Sequence, residues 1–172
     1  MQKDTDSGNV SWLKQKHFWL LAPIAIIVLL DEWIKWYAMH NLPSEESIVG
    51  SPLLDFAVHK NFGIAFDIPF KQPFIIVISI LIGYFLFKTA VANFHKRPAV
   101  SFSSIVIILG AAGNLFDRIA YGFTVDYIFI LGRSAFNLSD AVIVLGVVGF
   151  LMSSRRNRRK RKNKIEPEHS ID

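Results

Sequence analysis

Residues 98–116 have the sequence PAVSFSSIVIILGAAGNLF, nineteen residues without a charged side chain. A helix of about 20 apolar residues is long enough to cross the ~30 Å hydrocarbon core of a bilayer. The segment also lacks the wide polar stripe that a helix on the surface of a soluble protein shows. It therefore predicts a transmembrane helix.

Three more segments have this character and contain few ionisable residues, at about 18–37, 73–92 and 136–152. We therefore expect an all-α membrane protein with four transmembrane helices. The predicted organisation has three parts: a cytoplasmic N-terminal segment (1–17), a four-helix membrane domain (18–152) and a basic cytoplasmic tail (153–172).

The composition supports a membrane protein and excludes several other classes. Of the 172 residues, 52% are hydrophobic and only 19% are charged, and the mean hydropathy is +0.36. This composition excludes a disordered chain, a collagen and a coiled coil. Because the chain has no cysteine, it has no disulfide framework, thiolate metal site or cysteine nucleophile. We expect neither a metal nor a cofactor.

The net charge of +5 comes mainly from the tail, since residues 155–164 carry eight Lys or Arg. A basic tail after apolar segments is more typical of a cytoplasmic anchor than of a nucleic-acid-binding arm. With four spans and the tail inside, fourteen of the nineteen Lys and Arg lie on the inner side. The positive-inside rule then predicts that both termini are cytoplasmic.

The two outer connections, residues 38–72 and 118–135, differ from the short inner one. Residues 52–66 contain apolar runs interrupted by Pro and Gly, and residues 121–127 contain a β-branched and aromatic run after a turn. We expect these loops to form a small extracytoplasmic β-sheet over the outer end of the bundle, because backbone at membrane depth must be paired or buried.

Three carboxylates, Asp31, Asp117 and Asp140, are predicted to lie near the outer ends of their helices. An ionisable residue within a span is a functional candidate. Structural roles also remain open for each: Asp31 with Lys35 on one helix face, Asp117 with Arg118 or Arg133, and Asp140 as a favourable charge at a helix N-terminus.

Two of the acids share a local pattern, because Asn114–Asp117 and Asn137–Asp140 both have the spacing Asn-x-x-Asp. This spacing places each amide on the helix face of its acid, so we expect each amide to hold its own acid. Small residues at 110–113 predict a close approach of another helix to the first motif. Two carboxylates that share one proton can activate water, as in aspartic proteases.

Several blocks together resemble lipoprotein signal peptidase (signal peptidase II). They are DEWIK at 31–35, NFGIAF at 61–66, GNLFDR at 113–118, VDY at 125–127 and FNLSDA at 136–141. The similarity extends from about Trp19 to Met152. Three departures from the family pattern are Glu32 for Gln, Ile64 for Ala and Ser139 for Ala.

The resemblance implies an aspartic endopeptidase of the bacterial inner membrane with its active site near the extracytoplasmic face. It would remove the signal peptide of prolipoproteins before a diacylglyceryl-cysteine, with Asp117 and Asp140 as the catalytic pair. The implied partners are prolipoproteins and membrane lipids, not nucleic acid. The implied supporting or substrate-binding residues are Asp31, Lys35, Asn61, Gly63, Asn114, Arg118, Asn137 and Ser139.

Two other functions fit some of the same features. A small ion-coupled transporter also carries acids within spans, but it predicts acids near the midplane and interrupted helices. A non-catalytic scaffold whose basic tail binds anionic lipid predicts that Asp117→Asn is harmless apart from local stability.

Overall fold

The computed structural model describes residues 16–47, 53–64, 68–131 and 134–165. Helical elements make up most of these ranges: α1 (Leu21–Asn41), α2 (Gln72–Asn93), α3 (Pro98–Ala120) and α4 (Leu138–Ile165), with 3-10 helices at Lys16–Leu20 and Glu45–Ser47. The strands are β1 (Leu54–Asn61), β2 (Gly63–Ile64), β3 (Ile68–Pro69), β4 (Thr124–Ile130) and β5 (Ser134–Phe136).

Three of the helices described by the structure are long and apolar enough to cross a membrane: Gln72–Asn93, Pro98–Ala120 and the Leu138–Arg156 part of α4. Helix α1 has 21 residues but carries Asp31, Glu32 and Lys35 in its middle. The expectation of a mainly helical membrane protein is confirmed, whereas the fourth span remains a prediction.

Helix α3 lies at the centre and contacts α1, α2 and α4. Its buried face is rich in small and polar residues. At Gly110, a Cβ atom would lie 2.8 Å from the backbone oxygen of Ser139 on α4. The close helix approach predicted from the small residues at 110–113 is therefore confirmed.

Helix α2 lies on the outside of the bundle. Among its residues only Ile75 and Ala90 are buried, and its other large apolar side chains are mostly exposed. Exposed apolar side chains on a span are stable in a hydrocarbon environment, which fits the predicted membrane location.

The connections at 38–72 and 118–135 contribute strands to two small antiparallel sheets, where a single small sheet was predicted. One has the strand order β1–β4–β5, and the other is the β2–β3 pair. In the first, His59 lies opposite Asp126 and Asn61 opposite Thr124. The strand predicted within 121–127 begins only at Thr124, because Gly122 turns the chain with a φ of +79°.

Two helices continue beyond the spans expected within them, whose bounds in the membrane remain predictions. The span expected over 98–116 continues to Ala120, so Asp117 and Arg118 lie in the last turn of α3. The last helix continues to Ile165 rather than ending near 152. Both predictions placed the end at the first charged residues, but a helix continues past charges until a turn interrupts its backbone hydrogen bonds.

Candidate active site

The predicted site residues come together where the C-terminal end of α3 meets the N-terminal end of α4, with α1 and the β1–β4 sheet beside them. Asp31, Asp117 and Asn137 are completely buried. Buried polar groups are stable only when they are hydrogen-bonded or paired. The contacts of each group therefore indicate its role.

Lys35, which is 1% exposed, is the central cation. Its Nζ atom lies 3.1 Å from Asp31 Oδ2, 3.1 Å from Glu32 Oε1 and 2.9 Å from Asp117 Oδ2. It also donates a hydrogen bond to Asn114 Oδ1 at 3.2 Å. One ammonium thus connects α1 to α3 through carboxylates from both helices.

Asp31 caps the N-terminus of another helix. Its carboxylate accepts hydrogen bonds from the backbone N–H groups of Leu138 (3.0 Å) and Ser139 (3.1 Å), in the first turn of α4. The Tyr127 hydroxyl also donates to Asp31, at 2.7 Å. The ion pair between Asp31 and Lys35, one of the structural roles considered from the sequence, is present. Through its bonds to α4, Asp31 also connects α1 to that helix.

Asp117 is engaged with Lys35 rather than with another acid. Its Oδ2 contacts Lys35 and accepts a hydrogen bond from the backbone N–H of Val125 at 3.1 Å. The ion pair considered with Arg118 is absent, because the Arg118 guanidinium donates to the carbonyl oxygens of Asn114 (3.3 Å) and Gly63 (3.1 Å). The alternative partner Arg133 lies outside the described residues.

Asn137 and Asp140 form a reciprocal cap at the start of α4. The backbone N–H of Asp140 donates to Asn137 Oδ1 at 2.9 Å, and the backbone N–H of Asn137 lies 3.3 Å from Asp140 Oδ2. This is the geometry of a capping box, in which two free N–H groups of the first turn are satisfied. The second Asn-x-x-Asp motif is therefore a helix start.

The first motif behaves differently, and the expectation that Asn114 holds Asp117 is wrong. Asn114 Nδ2 donates to Asp140 Oδ1 at 2.7 Å, on the neighbouring helix. Its Oδ1 accepts from Lys35 and from Asn137 Nδ2 (3.1 Å). Since two donors occupy the oxygen, the amide has one orientation, with its NH₂ group toward Asp140.

Asp126, on β4, is the buried acid that the candidate pair did not include. It is 1% exposed and accepts hydrogen bonds from Asn61 Nδ2 (3.0 Å) and Asn137 Nδ2 (2.7 Å). No salt bridge to Asp126 is found within the described part of the chain. Burial, and then the negative charge of Asp140, raise the pKa of Asp126 from 3.8 to about 7.

Asn61 and Gly63 position the end of β1 beside this acid. The backbone N–H of Gly63 donates to Asn61 Oδ1 at 2.9 Å, which leaves Asn61 Nδ2 directed at Asp126. The Gly63 carbonyl accepts from Arg118. Arg118 is also close enough to Asp126 and Asp140 to interact electrostatically with both.

Ser139 is fully buried, and its Oγ has no hydrogen-bond partner within the described residues. A Cβ atom at Gly113 would lie 2.6 Å from this Oγ and 2.8 Å from Glu32 Oε1. Two of the departures from the family pattern, Glu32 and Ser139, thus lie against the same glycine.

Asp126 belongs to the VDY block at 125–127, but the sequence did not predict it as a site residue. The available signal was a lone carboxylate inside the apolar strand TVDYIFI. Tyr127 and Glu32, which contact Asp31 and Lys35, were also missed as site residues. Across residues 16–47, 53–64, 68–131 and 134–165, no cluster of three or more His, Cys, Asp or Glu suited to a metal ion is found.

The fold and the site define a helical membrane protein with a cluster of buried carboxylates under a small sheet. The sequence model of the family described as Signal peptidase (SPase) II matches residues 23–156. The chain belongs to this family and is a peptidase, which confirms the resemblance seen in the sequence.

Individual relatives agree with this assignment. A lipoprotein signal peptidase of Serratia marcescens is 31% identical over 160 residues, covering 88% of this chain and 92% of the relative. One of Halalkalibacterium halodurans is 36% identical over 154 residues, covering 81% and 94%.

Two solved bacterial membrane enzyme structures share the fold. The first has a TM-score of 0.64 and 23% identity, covering 100% of this chain and 99% of the other. The second has a TM-score of 0.61 and 26% identity, covering 77% and 90%.

Proposed function

We propose that this protein is an aspartic endopeptidase of the bacterial cytoplasmic membrane. It removes the signal peptide of prolipoproteins by cleaving before the diacylglyceryl-cysteine. Family membership and the names of the relatives support the substrate class. The buried carboxylates support the aspartic mechanism.

The catalytic pair that the contacts favour is Asp126 with Asp140, in place of Asp117 with Asp140. Asn137 bridges the two acids, since its Nδ2 donates to Asp126 while its backbone N–H and Oδ1 contact Asp140. Neither acid has an ion-pair partner within the described residues, whereas Asp117 is neutralised by Lys35 at 2.9 Å. This bridge is the observation that carries the proposal.

The pair supplies one base and one acid. Asp140 lies in the first turn of α4, where the helix dipole and two N–H donors stabilise a carboxylate. Asp126, with its raised pKa, holds the shared proton. Asp140 takes a proton from water, the resulting hydroxide attacks the scissile carbonyl carbon, and Asp126 protonates the carbonyl oxygen. When the C–N bond breaks, the proton on Asp140 passes to the leaving amine, and a hydroxyl proton of the intermediate returns to Asp126 as the carboxylic acid forms.

An apolar groove beside the pair suits a substrate that resides in lipid. A cavity of about 400 Å³ lies between α2, α3 and α4. It is lined mainly by apolar side chains and reaches two site residues; its lining includes Phe70, Ile75, Ile78, Ile82 and Ile143 together with Asn114 and Arg118. Because α2 faces outward, an acyl chain or a signal helix entering from the bilayer meets this groove first.

Cleavage of a lipidated precursor by the purified protein tests the function. We expect Asp126→Asn and Asp140→Asn each to reduce kcat by at least ~10³-fold with the fold retained, and the double variant to be scarcely worse. Asp117→Asn should lower the unfolding temperature, because it weakens the ion pair of buried Lys35. The opposite result would be a folded Asp126→Asn enzyme with normal turnover and a stable but inactive Asp117→Asn enzyme. It would identify Asp117 as the catalytic partner of Asp140. An unlipidated precursor is the substrate control.

The proposed orientation places both termini in the cytoplasm and the sheet outside. Labelling of single cysteines by a membrane-impermeant reagent in intact cells tests it. We expect labelling at Ser47→Cys and none at His95→Cys. The reverse pattern would invert the topology and place the acids on the inner face.

A further inference from the structure

His59 lies on β1, the strand next to the one that carries Asp126, and is not part of the pair or of the motifs that resemble the family. In the β1–β4 ladder, His59 is directly opposite Asp126, and Asn61 is opposite Thr124. Residues directly opposite in an antiparallel pair project from the same face of the sheet. The imidazole and the carboxylate therefore share one face, and Asn61 lies next along β1.

The imidazole is held from two sides. Its Nδ1 lies 2.6 Å from Glu45 Oε2, and its ring packs edge-on against Phe129 with the centroids 6.3 Å apart. The His59 side chain is 15% exposed, while that of Glu45 is 46% exposed. The ring is thus fixed within the sheet, and its carboxylate partner faces water.

The Glu45 segment is attached to β1 by the backbone. Val58 N–H donates to the Pro43 carbonyl at 2.8 Å, and Ser44 forms a parallel bridge with Val58. These bonds hold the 3-10 helix Glu45–Ser47 next to the strand that carries His59. The contact between Glu45 and His59 is therefore supported by the fold on both sides.

The groups around Asp126 differ in how they act on its carboxylate. Burial and then the charge of Asp140 on α4 raise the pKa of Asp126, while hydrogen bonds from Asn61 and Asn137 and the charge of His59 lower it. Arg118 from α3 also interacts with both acids, but its hydrogen bonds go to backbone carbonyls. Among these neighbours, His59 is the one whose side chain contacts an exposed carboxylate, that of Glu45.

We propose that His59, held by Glu45, is a positioning residue that sets the positive charge beside Asp126 and thereby the pH range in which the aspartate pair is active. The inference rests on the proposed role of Asp126. A cation near the pair stabilises the form that has lost the shared proton. Without it the pair keeps that proton to higher pH.

The test is the pH dependence of kcat on a lipidated precursor. For His59→Gln, which keeps a polar partner for Glu45 but no charge, we expect the alkaline limb to move upward by roughly half a pH unit or more. Glu45→Gln should move the alkaline limb in the same direction by a smaller amount. Because Glu45 acts through His59, adding Glu45→Gln to His59→Gln should cause little further shift. Lys60→Gln is the matched control, since Lys60 is exposed, adjacent on β1 and directed at the Phe123 ring. It should leave both limbs in place.

A merely structural role would lower kcat or stability without moving the limb, and that result overturns the proposal. Complete loss of activity in a folded His59→Gln enzyme also overturns it, since a tuning residue leaves turnover measurable. If His59→Gln does not fold, the Glu45→Gln shift decides. An unchanged pH profile in His59→Gln would refute only this inference. The proposed role of Asp126 would be refuted by a different result, normal activity of the Asp126→Asn enzyme.

Discussion

The Nζ atom of Lys35 lies 2.9 Å from Oδ2 of Asp117, and both side chains are buried. The two residues come from different helices and lie on opposite sides of the α1–α3 contact. The same ammonium contacts Asp31 and Asn114, so it connects the cap of α4 with the amide that holds Asp140. Much of the site's geometry therefore depends on this one cation.

Removing the cation should destabilise the fold strongly. Lys35→Met leaves Asp31 and Asp117 buried without a positive partner, and we expect a loss of ~3–5 kcal/mol in the free energy of unfolding. Lys60→Met, at an exposed position, should change it by less than ~0.5 kcal/mol. Denaturant or SDS titration in micelles measures both. Equal stability of the two variants would contradict the central role of Lys35.

The raised pKa of Asp126 predicts a stability change with pH. Between the unfolded value of 3.8 and about 7 the folded state binds more protons than the unfolded state, so this group makes stability fall as pH rises through that window. Asp126→Asn removes the effect. Compared with the parent, the variant should therefore gain stability between pH 5 and pH 8, by at most about 3 kcal/mol.

Unfolding curves of parent and variant at the two pH values measure this difference. Asp55→Asn, on the neighbouring strand β1 and paired with Phe129 rather than with Asp126, is the control. If the difference in free energy of unfolding between Asp126→Asn and the parent is the same at both pH values, the pKa of Asp126 is not raised in the folded protein.

The unpartnered hydroxyl of Ser139 predicts a stabilising substitution. Ser139→Ala removes a buried polar atom that makes no hydrogen bond in the described structure, so stability should be unchanged or higher by up to ~1 kcal/mol. Ser104 is equally buried, but its Oγ donates to the Val100 carbonyl at 2.9 Å. Ser104→Ala should lower stability by ~0.5–1 kcal/mol. Thermal unfolding of both variants tests the contrast, and a destabilised Ser139→Ala would indicate an undetected partner.

Glycine substitutions should separate helix contact from helix propensity. Gly113→Ala places Cβ 2.6 Å from Ser139 Oγ and should be destabilising, whereas Gly83, on α2, has nothing within 4 Å and Gly83→Ala should be neutral or stabilising. Adding Ser139→Ala should rescue Gly113→Ala in part. It should not rescue Gly110→Ala, whose Cβ meets the Ser139 backbone oxygen at 2.8 Å. Equal rescue of both would argue against this α3–α4 geometry.

The features that the sequence alone predicted correctly are those with a local physical cause. Long apolar runs predicted the helices, the small residues at 110–113 predicted a close contact, and apolar runs broken by turns predicted the outer sheet. The spacing from Asn137 to Asp140 placed two side chains that do act together, as a cap at the start of α4. Each of these depends on residues a few positions apart.

Which acids face each other was decided only by the tertiary structure. Asn114 and Asn137 occupy matching motifs, yet one amide reaches to the next helix and the other caps its own. Lys35 is 79 residues from Asn114 and Asn61 is 65 from Asp126. Such pairs depend on how each helix is rotated and on the strand register, which no local spacing encodes. The sequence therefore determined the family, the helices and most of the polar site residues, while packing added Asp126 to the site and assigned Asp117 to Lys35.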